Sequence, residues 1–374
     1  MSKIVAKRVS NYELFYDLVF VLAISRLVTY LHTASFHLAN LTAFIGSTSV
    51  LLSIWMYQTI YLNKYGERDP LDVYLNIPAM FLVGNFALML GITSYGLKEF
   101  ILYNVFLILS HVLIVLQYYL RGRRRGFNPD MLASMKRLGL IIGYLIILVI
   151  LSLIFFRNSI GQASFNILWV LLWLSPFFYS KETNSSYLNF PHMVERFQLI
   201  TIISFGETVV GLIQTYPLYH PPLLGLLFFF GISFMFVAYV SQTHLAINHH
   251  QVTRGLILTY AHLFLILALN MVTAAIEILA NPHHTSQGLG LLSIGLFVYY
   301  LALYSTFIYN RRLYRFAKTN YLPYMICVLL GIVLMWLLHS WTLAIACVFA
   351  ATCFIVPRLN FYARRQARER AKSK

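Results

Sequence analysis

Two apolar stretches of this sequence carry ionisable residues that could bind a proton or an ion. One begins at Glu13, reads ELFYDLVFVLAISRL and contains Asp17 and Arg26. The other begins at Glu195, reads ERFQLITIISFGETVVGLI and contains Glu207. A charged side chain at the centre of a bilayer costs on the order of 2.5–3.5 kcal/mol, so it needs a partner or a polar cavity. These residues are therefore the candidates for function.

Arg26 and Glu207 occupy similar depths, since Arg26 follows Glu13 by thirteen residues and Glu207 follows Glu195 by twelve. At 1.5 Å per residue, both lie about 21 Å into a hydrocarbon core that is about 30 Å thick. We predict that they form a buried ion pair or a shared hydrogen-bond network. The alternative is a purely structural pair that fixes helix packing.

Asp17 lies on the same helical face as Glu13, four residues away, whereas Arg26 is about 900° of helical rotation further on and faces the other way. A proton-coupled carrier needs a carboxylate that exchanges a proton, and we predict Asp17 as a proton or cation site near an inner gate. For Glu13 and Glu195, the alternative is helix capping and a favourable contact with the helix dipole.

Small and hydroxyl-bearing residues surround Glu207, namely Ser204, Gly206 and Thr208. Small residues let another helix approach closely, and hydroxyl groups can donate to a carboxylate. These residues are consistent with a substrate or ion path, and equally with ordinary helix packing.

Nothing in the sequence predicts a catalytic residue, a metal site or a cofactor. The histidines show no ligand spacing, and the three cysteines, Cys327, Cys347 and Cys353, lie in apolar segments near the end of the chain. Phosphate-binding loops, nucleophile elbows and dinucleotide fingerprints are absent from the sequence. Catalysis is therefore the less favoured class of function.

The composition is that of an integral membrane protein. Of the 374 residues, 59% are hydrophobic and 11% are charged, whereas soluble domains carry about 25% charged residues. The net charge of +16 could suggest nucleic acid. The basic residues fall in short connections and at the two ends, so we expect no nucleic-acid partner.

About twelve segments are long and apolar enough to span a bilayer, which predicts an all-α fold. They cover residues 12–32, 41–62, 74–95, 100–120, 138–156, 163–180, 193–216, 223–243, 255–280, 289–309, 322–339 and 341–356. Lys and Arg collect on alternate connections, which predicts that both termini lie in the cytoplasm. We expect this basic face to contact anionic lipid headgroups.

The two halves resemble a tandem duplication of parallel six-helix repeats. Besides the two charged stretches, Tyr57-Gln58-Thr59 resembles Ser241-Gln242-Thr243. We therefore divide the chain into an N-terminal segment, two repeats, a linker and a basic tail, with bounds 1–11, 12–180, 181–192, 193–357 and 358–374. Six spans per half relate the repeats by an axis along the membrane normal.

The two charged stretches together resemble the low-temperature-requirement A (LtrA) family of bacterial multi-pass membrane proteins. The matching positions are Glu13, Phe15, Asp17, Glu195, Phe197, Gly206 and Glu207. The resemblance covers nearly the whole chain and implies a helical protein of the bacterial inner membrane with a role in growth in the cold. It implies no particular biochemical activity.

We expect a secondary transporter of an unidentified small solute or ion, with proton coupling as one option, because duplicated bundles with charges near the membrane centre are typical of such carriers. One alternative is an intramembrane enzyme that acts on a lipid or another hydrophobic substrate. The other is a non-catalytic membrane sensor or partner protein. The sequence leaves the oligomeric state open.

Overall fold

The computed structural model describes residues 7–33, 38–66, 70–90, 96–155, 171, 188–219, 222–314 and 321–372. These residues form eleven α-helices and no β-strand, which confirms the all-α class. Ten of the helices are long and apolar enough to cross a membrane. A helix satisfies its own backbone groups, as a segment surrounded by lipid must.

The chain divides into two compact units. The first unit comprises Met1–Ile200 and His250–Leu256, and the second comprises Thr201–His249 and Ile257–Lys374. This division falls near the predicted boundary between repeats.

The described residues of the first unit form five whole helices and the first part of a sixth. These are α1 (Asn11–Thr33), α2 (Leu38–Lys64), α3 (Pro70–Met89), α4 (Leu97–Arg125), α5 (Pro129–Phe155) and the beginning of α6 (Phe190–Thr215). Helix α1 packs on α2 and α3, and α4 packs on α2, α3 and α5. Helix α2 is the central helix, because 78% of the residues in its most apolar stretch are buried. No other described span of this unit exceeds 44%.

The second unit contains the rest of α6 and five further helices. These are α7 (Pro222–Val240), α8 (Leu256–Ile278), α9 (Thr285–Ser305), α10 (Leu322–Leu337) and α11 (Thr342–Lys372). Helix α11 packs along α7 and α10, and α10 packs on α9. Helix α8 is the most buried span of this unit, as α2 is of the first.

Eleven of the twelve predicted spans coincide with these helices, and the sixth, residues 163–180, lies outside the described residues. Several helices extend beyond their apolar segments. Helix α5 begins at Pro129 because the Asn128 Oδ1 atom accepts a hydrogen bond from the Met131 amide at 2.7 Å, and Asp130 pairs with Lys64 at 2.9 Å.

The segment predicted as a separate basic tail, residues 358–374, continues α11 as a helix through Lys372. Arg364 explains the difference. Its guanidinium is buried, donates to the Ser241 carbonyl at 2.9 Å and to the Gln242 side chain at 2.7 Å, and lies over the Tyr314 ring. These contacts hold the start of the basic segment against the second unit.

The two sequence similarities behind the proposed repeat differ in their structural support. Gln58 and Gln242 are both fully buried, and each donates hydrogen bonds within its own unit. Glu13, by contrast, is buried while its proposed counterpart Glu195 is exposed. The duplication therefore stays a prediction, and the burial pattern does not support the register that aligns Glu13 with Glu195.

Candidate functional site

Arg196 is the central residue of a buried charged cluster in the first unit. It lies on the face of α6 that carries His192, one helical turn earlier, and both side chains are fully buried. Residues four apart share a helical face, so the neighbouring Glu195 points away and is exposed. The buried face of α6 thus brings a cation into the helix bundle.

Two carboxylates of α1 flank the Arg196 guanidinium. Arg196 Nη2 donates to Asp17 Oδ1 at 2.8 Å, and Nη1 lies 3.4 Å from Glu13 Oε2. Trp55 of α2 also donates from Nε1 to Asp17 Oδ1 at 2.8 Å, and Arg196 lies 5.7 Å from the centre of its ring. We call these residues, together with His192, the arginine cluster.

Glu13 combines a structural contact with a charged one. Its amide donates to the Ser10 hydroxyl at 3.3 Å, and its Oε1 accepts from the Ser10 amide at 3.5 Å, which is the reciprocal pattern of a capping box. The Ser10 hydroxyl also donates to Oε1 at 3.1 Å. Its Oε2 lies 3.0 Å from His192 Nε2. Glu13 therefore caps α1 and also belongs to the arginine cluster.

The proton position on His192 follows from its neighbours. The Asn63 side chain is fixed by the backbone of Asn189, whose amide donates to Oδ1 at 2.9 Å and whose carbonyl accepts from Nδ2 at 2.8 Å. Nδ2 also lies 3.0 Å from His192 Nδ1, which must act as the acceptor. Nε2 then carries a ring proton and lies 3.0 Å from Glu13 Oε2.

A second buried ion pair lies beside the cluster. Arg121 of α4 donates to Asp72 of α3 at 2.6 Å, and the Tyr61 hydroxyl donates to the other oxygen of the same carboxylate at 2.8 Å. Gln58 and Asn76 continue the network through a 2.7 Å hydrogen bond. Asp72 therefore pairs with an arginine other than Arg196.

A partly open cavity of about 690 Å³ lies where α1 begins, α2 ends and α3 begins. Charged and amide groups line it, including Lys7, Arg8, Glu13, Asn63, Lys64, Asp72, Asn76 and Asn189. Asp17 is one turn deeper along α1 than Glu13, which corresponds to about 6 Å. The cavity thus connects the end of the unit to the edge of the arginine cluster.

The other predicted site residues lie apart from this cluster. Arg26 is exposed on α1 of the first unit, and Glu207 is half-buried on the part of α6 that belongs to the second unit. Their pairing stays a prediction. Thr208 is buried and lies 2.8 Å from the Thr273 hydroxyl; Ser204 is also buried, and Gly206 is exposed.

Glu207 has an acidic neighbour in the second unit that the sequence did not reveal. The Glu277 carboxylate of α8 lies over Gly211, one turn after Glu207, and the two carboxylates are close enough to repel each other. Both side chains are half-buried. The α6–α8 contact therefore carries two carboxylates, with the Thr208–Thr273 hydrogen bond beside them.

Sequence reasoning missed Arg196, His192 and Trp55. Arg196 stands near the start of an apolar segment, so by its position in the sequence it resembles the basic residues of the connections. One feature of the sequence could have identified this cluster: His192 and Arg196 are four residues apart, which places two polar residues on one face of a spanning helix. No group of three or more His, Cys, Asp or Glu that could hold a metal occurs in the described part of the chain.

Comparison with known protein families gives one match. The family described as bacterial low temperature requirement A protein (LtrA) matches residues 8–356. No curated protein and no solved structure matches the chain.

Proposed function

The chain belongs to the LtrA family, and we propose that it is a secondary membrane transporter whose solute or ion path passes through the first unit. The path would enter through the cavity at the start of α1 and reach the arginine cluster. Asp17 would bind the coupling ion there, as the sequence predicts, with Arg196 as its partner.

The observation that carries this proposal is the cavity itself, because polar groups line it and it leads to buried charges. Glu13 and Asp72 line the cavity and are each only 3% exposed. Buried ion pairs are weak contributors to stability, and well-packed apolar residues often replace them at no cost. Charges retained beside a polar cavity inside a membrane are typical of an ion or substrate path.

The proposal also names the membrane and the orientation of the chain in it. The chain would lie in the bacterial cytoplasmic membrane with both termini in the cytoplasm, so that the basic ends of its helices contact anionic lipid headgroups. Arg26 of the first unit and Glu207 of the second stay candidates for a substrate or proton site, as the sequence predicts. An intramembrane enzyme is less well supported, because the described residues bring together no set of metal ligands. The Ser53 hydroxyl and His111 Nε2 do lie 3.5 Å apart, but both side chains are fully buried and neither lines the cavity at the start of α1.

A solute screen tests transport without knowledge of the substrate. Proteoliposomes containing the full-length protein would be incubated with a polar extract of bacterial cells under an imposed pH gradient, and the trapped solutes would be identified by mass spectrometry. We expect at least one solute to accumulate with the wild-type protein and to fall to the level of empty vesicles with Asp17→Asn.

Glu369→Gln is the matched control, because it makes the same change from acid to amide at a residue that is 60% exposed and pairs with Arg365 on the surface of α11. It should accumulate the solute as the wild type does. If no solute distinguishes wild-type vesicles from empty ones under either direction of the gradient, transport is the wrong function.

A further inference from the structure

One oxygen of Asp17 has no partner among the residues that the structure describes. Asp17 is 1% exposed, and its Oδ1 accepts hydrogen bonds from both Trp55 and Arg196. Its Oδ2 is buried and accepts no hydrogen bond from any residue that the structure describes. An unpaired, charged oxygen in such a place is strongly disfavoured.

The charges around Asp17 leave it dependent on a shared cation. Arg196 is the one cation within ion-pair distance of Asp17 in the described part of the unit, and it also faces Glu13. The charged and titratable groups that face Asp17 or its partners are Glu13, Tyr16 and Lys7 from the α1 side, and Arg196 and His192 from α6. From α2 come the neutral Trp55 and Thr59.

Glu13 and Asp17 differ in how well their negative charge is balanced. Glu13 accepts from the Ser10 hydroxyl at 3.1 Å and has the attraction of Lys7 as well as Arg196, and His192 Nε2 lies 3.0 Å from its Oε2. That Oε2, like Asp17 Oδ2, accepts no hydrogen bond within the described part of the chain. Without Arg196, Glu13 would keep the Ser10 donor and two basic neighbours, whereas Asp17 would keep the Trp55 donor alone among its described contacts.

We propose that Asp17 Oδ2 is the proton-binding atom of the coupling site and that Arg196 moves between the two carboxylates as this proton comes and goes. This inference rests on the proposed transport function. A proton from water in the cavity would form an O–H bond on Asp17, which removes its negative charge. The guanidinium would then pair with Glu13, and release of the proton would return it to Asp17.

The observed distances correspond to the unprotonated form. Arg196 is 2.8 Å from Asp17 and 3.4 Å from Glu13, so it pairs more closely with Asp17. A proton fits the site better than a metal ion, because a metal ion requires several oxygen ligands. Around Asp17 Oδ2 the described residues supply no such set.

Infrared difference spectroscopy can observe this proton directly, since a protonated carboxyl group has a carbonyl stretch that a carboxylate lacks. Full-length protein in lipid vesicles would be taken from high to low pH, as wild type and as Asp17→Asn, Glu13→Gln and Glu369→Gln. We expect a carboxylic-acid band on acidification that Asp17→Asn loses and the other two variants keep. Arg196→Lys should move the midpoint of this band to higher pH, because a single ammonium group pairs less well with the carboxylate.

Labelling keeps the test valid if Asp17→Asn fails to fold. In wild-type protein with ¹³C-labelled aspartate carboxyl groups the band should shift, whereas glutamate labelling should leave it in place. A band that follows the glutamate label, or the lack of any band over the pH range in which the protein stays helical, would overturn the inference. If the band is present but the solute screen is negative, the proton site stands and the transport function falls.

Discussion

Arg196→Gln is the most informative perturbation of the first unit. It removes a cation that is fully buried and leaves two carboxylates, at 1% and 3% exposure, without it. Breaking a buried ion pair by removing one partner costs about 3–5 kcal/mol, because the remaining charge is left uncompensated. We expect the free energy of unfolding to fall by about this amount, a factor of roughly 10² to 10⁴ in the ratio of folded to unfolded protein.

Adding Asp17→Asn to Arg196→Gln should restore part of this loss. The double variant removes the carboxylate that depends most on Arg196, whereas Glu13 keeps the Ser10 donor and the His192 ring 3.0 Å away. Coupling energies between groups in one network are about 0.5–3 kcal/mol, and for this close pair we expect a value near the upper end, about 2–3 kcal/mol.

The matched control is Arg121→Gln, which removes a buried arginine of the same unit. Arg121 pairs with Asp72 and not with Asp17, so Asp72→Asn should rescue it and Asp17→Asn should not. Unfolding of the purified variants in mixed micelles, followed by helicity, gives the free energies. A loss below about 1 kcal/mol for Arg196→Gln, or equal rescue of both arginine variants by Asp17→Asn, would refute the assignment of partners.

Two further predictions concern packing and the predicted ion pair of Arg26 and Glu207. Gly231→Ala should destabilise the protein by about 1–3 kcal/mol, because the new Cβ would lie 2.3 Å from the buried Phe349 ring. In Gly206→Ala the new Cβ meets no atom within 4 Å, so the free energy of unfolding should change by less than about 0.5 kcal/mol. Thermal unfolding in detergent compares the two variants, and equal effects would contradict the packing argument. The ion pair can be tested by exchanging its charges in Arg26→Glu and Glu207→Arg, each of which should lower the free energy of unfolding. If the two residues pair, the double variant should recover about 1–3 kcal/mol. If the losses of the two single variants simply add, the ion pair is excluded.

The sequence predicted the fold class because the length and polarity of a span are local properties. About 20 apolar residues are enough to identify a spanning helix, whatever the rest of the chain does. Eleven of the twelve predicted spans are helices in the described residues, and the resemblance to the LtrA family is confirmed. The helix ends were less predictable, because Asp130 and Arg364 find partners that are distant along the chain.

The sequence also singled out Glu13 and Asp17 correctly as neighbours on one face, since residues four apart share a helical face. It could not identify their cation. Arg26 was a reasonable candidate by depth, but the structure shows Arg196 beside Asp17 and leaves Arg26 exposed.

Residue types and their spacing alone thus determined that the chain spans a membrane as helices and that α1 carries two carboxylates on one face. Only the tertiary structure decided that Arg196 faces those carboxylates, that Asp72 has its own arginine, and that a cavity reaches the cluster. The physical reason is that a spanning helix is apolar on nearly all sides, so its sequence gives its depth but not its rotation. Rotation is set by packing against helices far away in the chain, and it decides which charges meet.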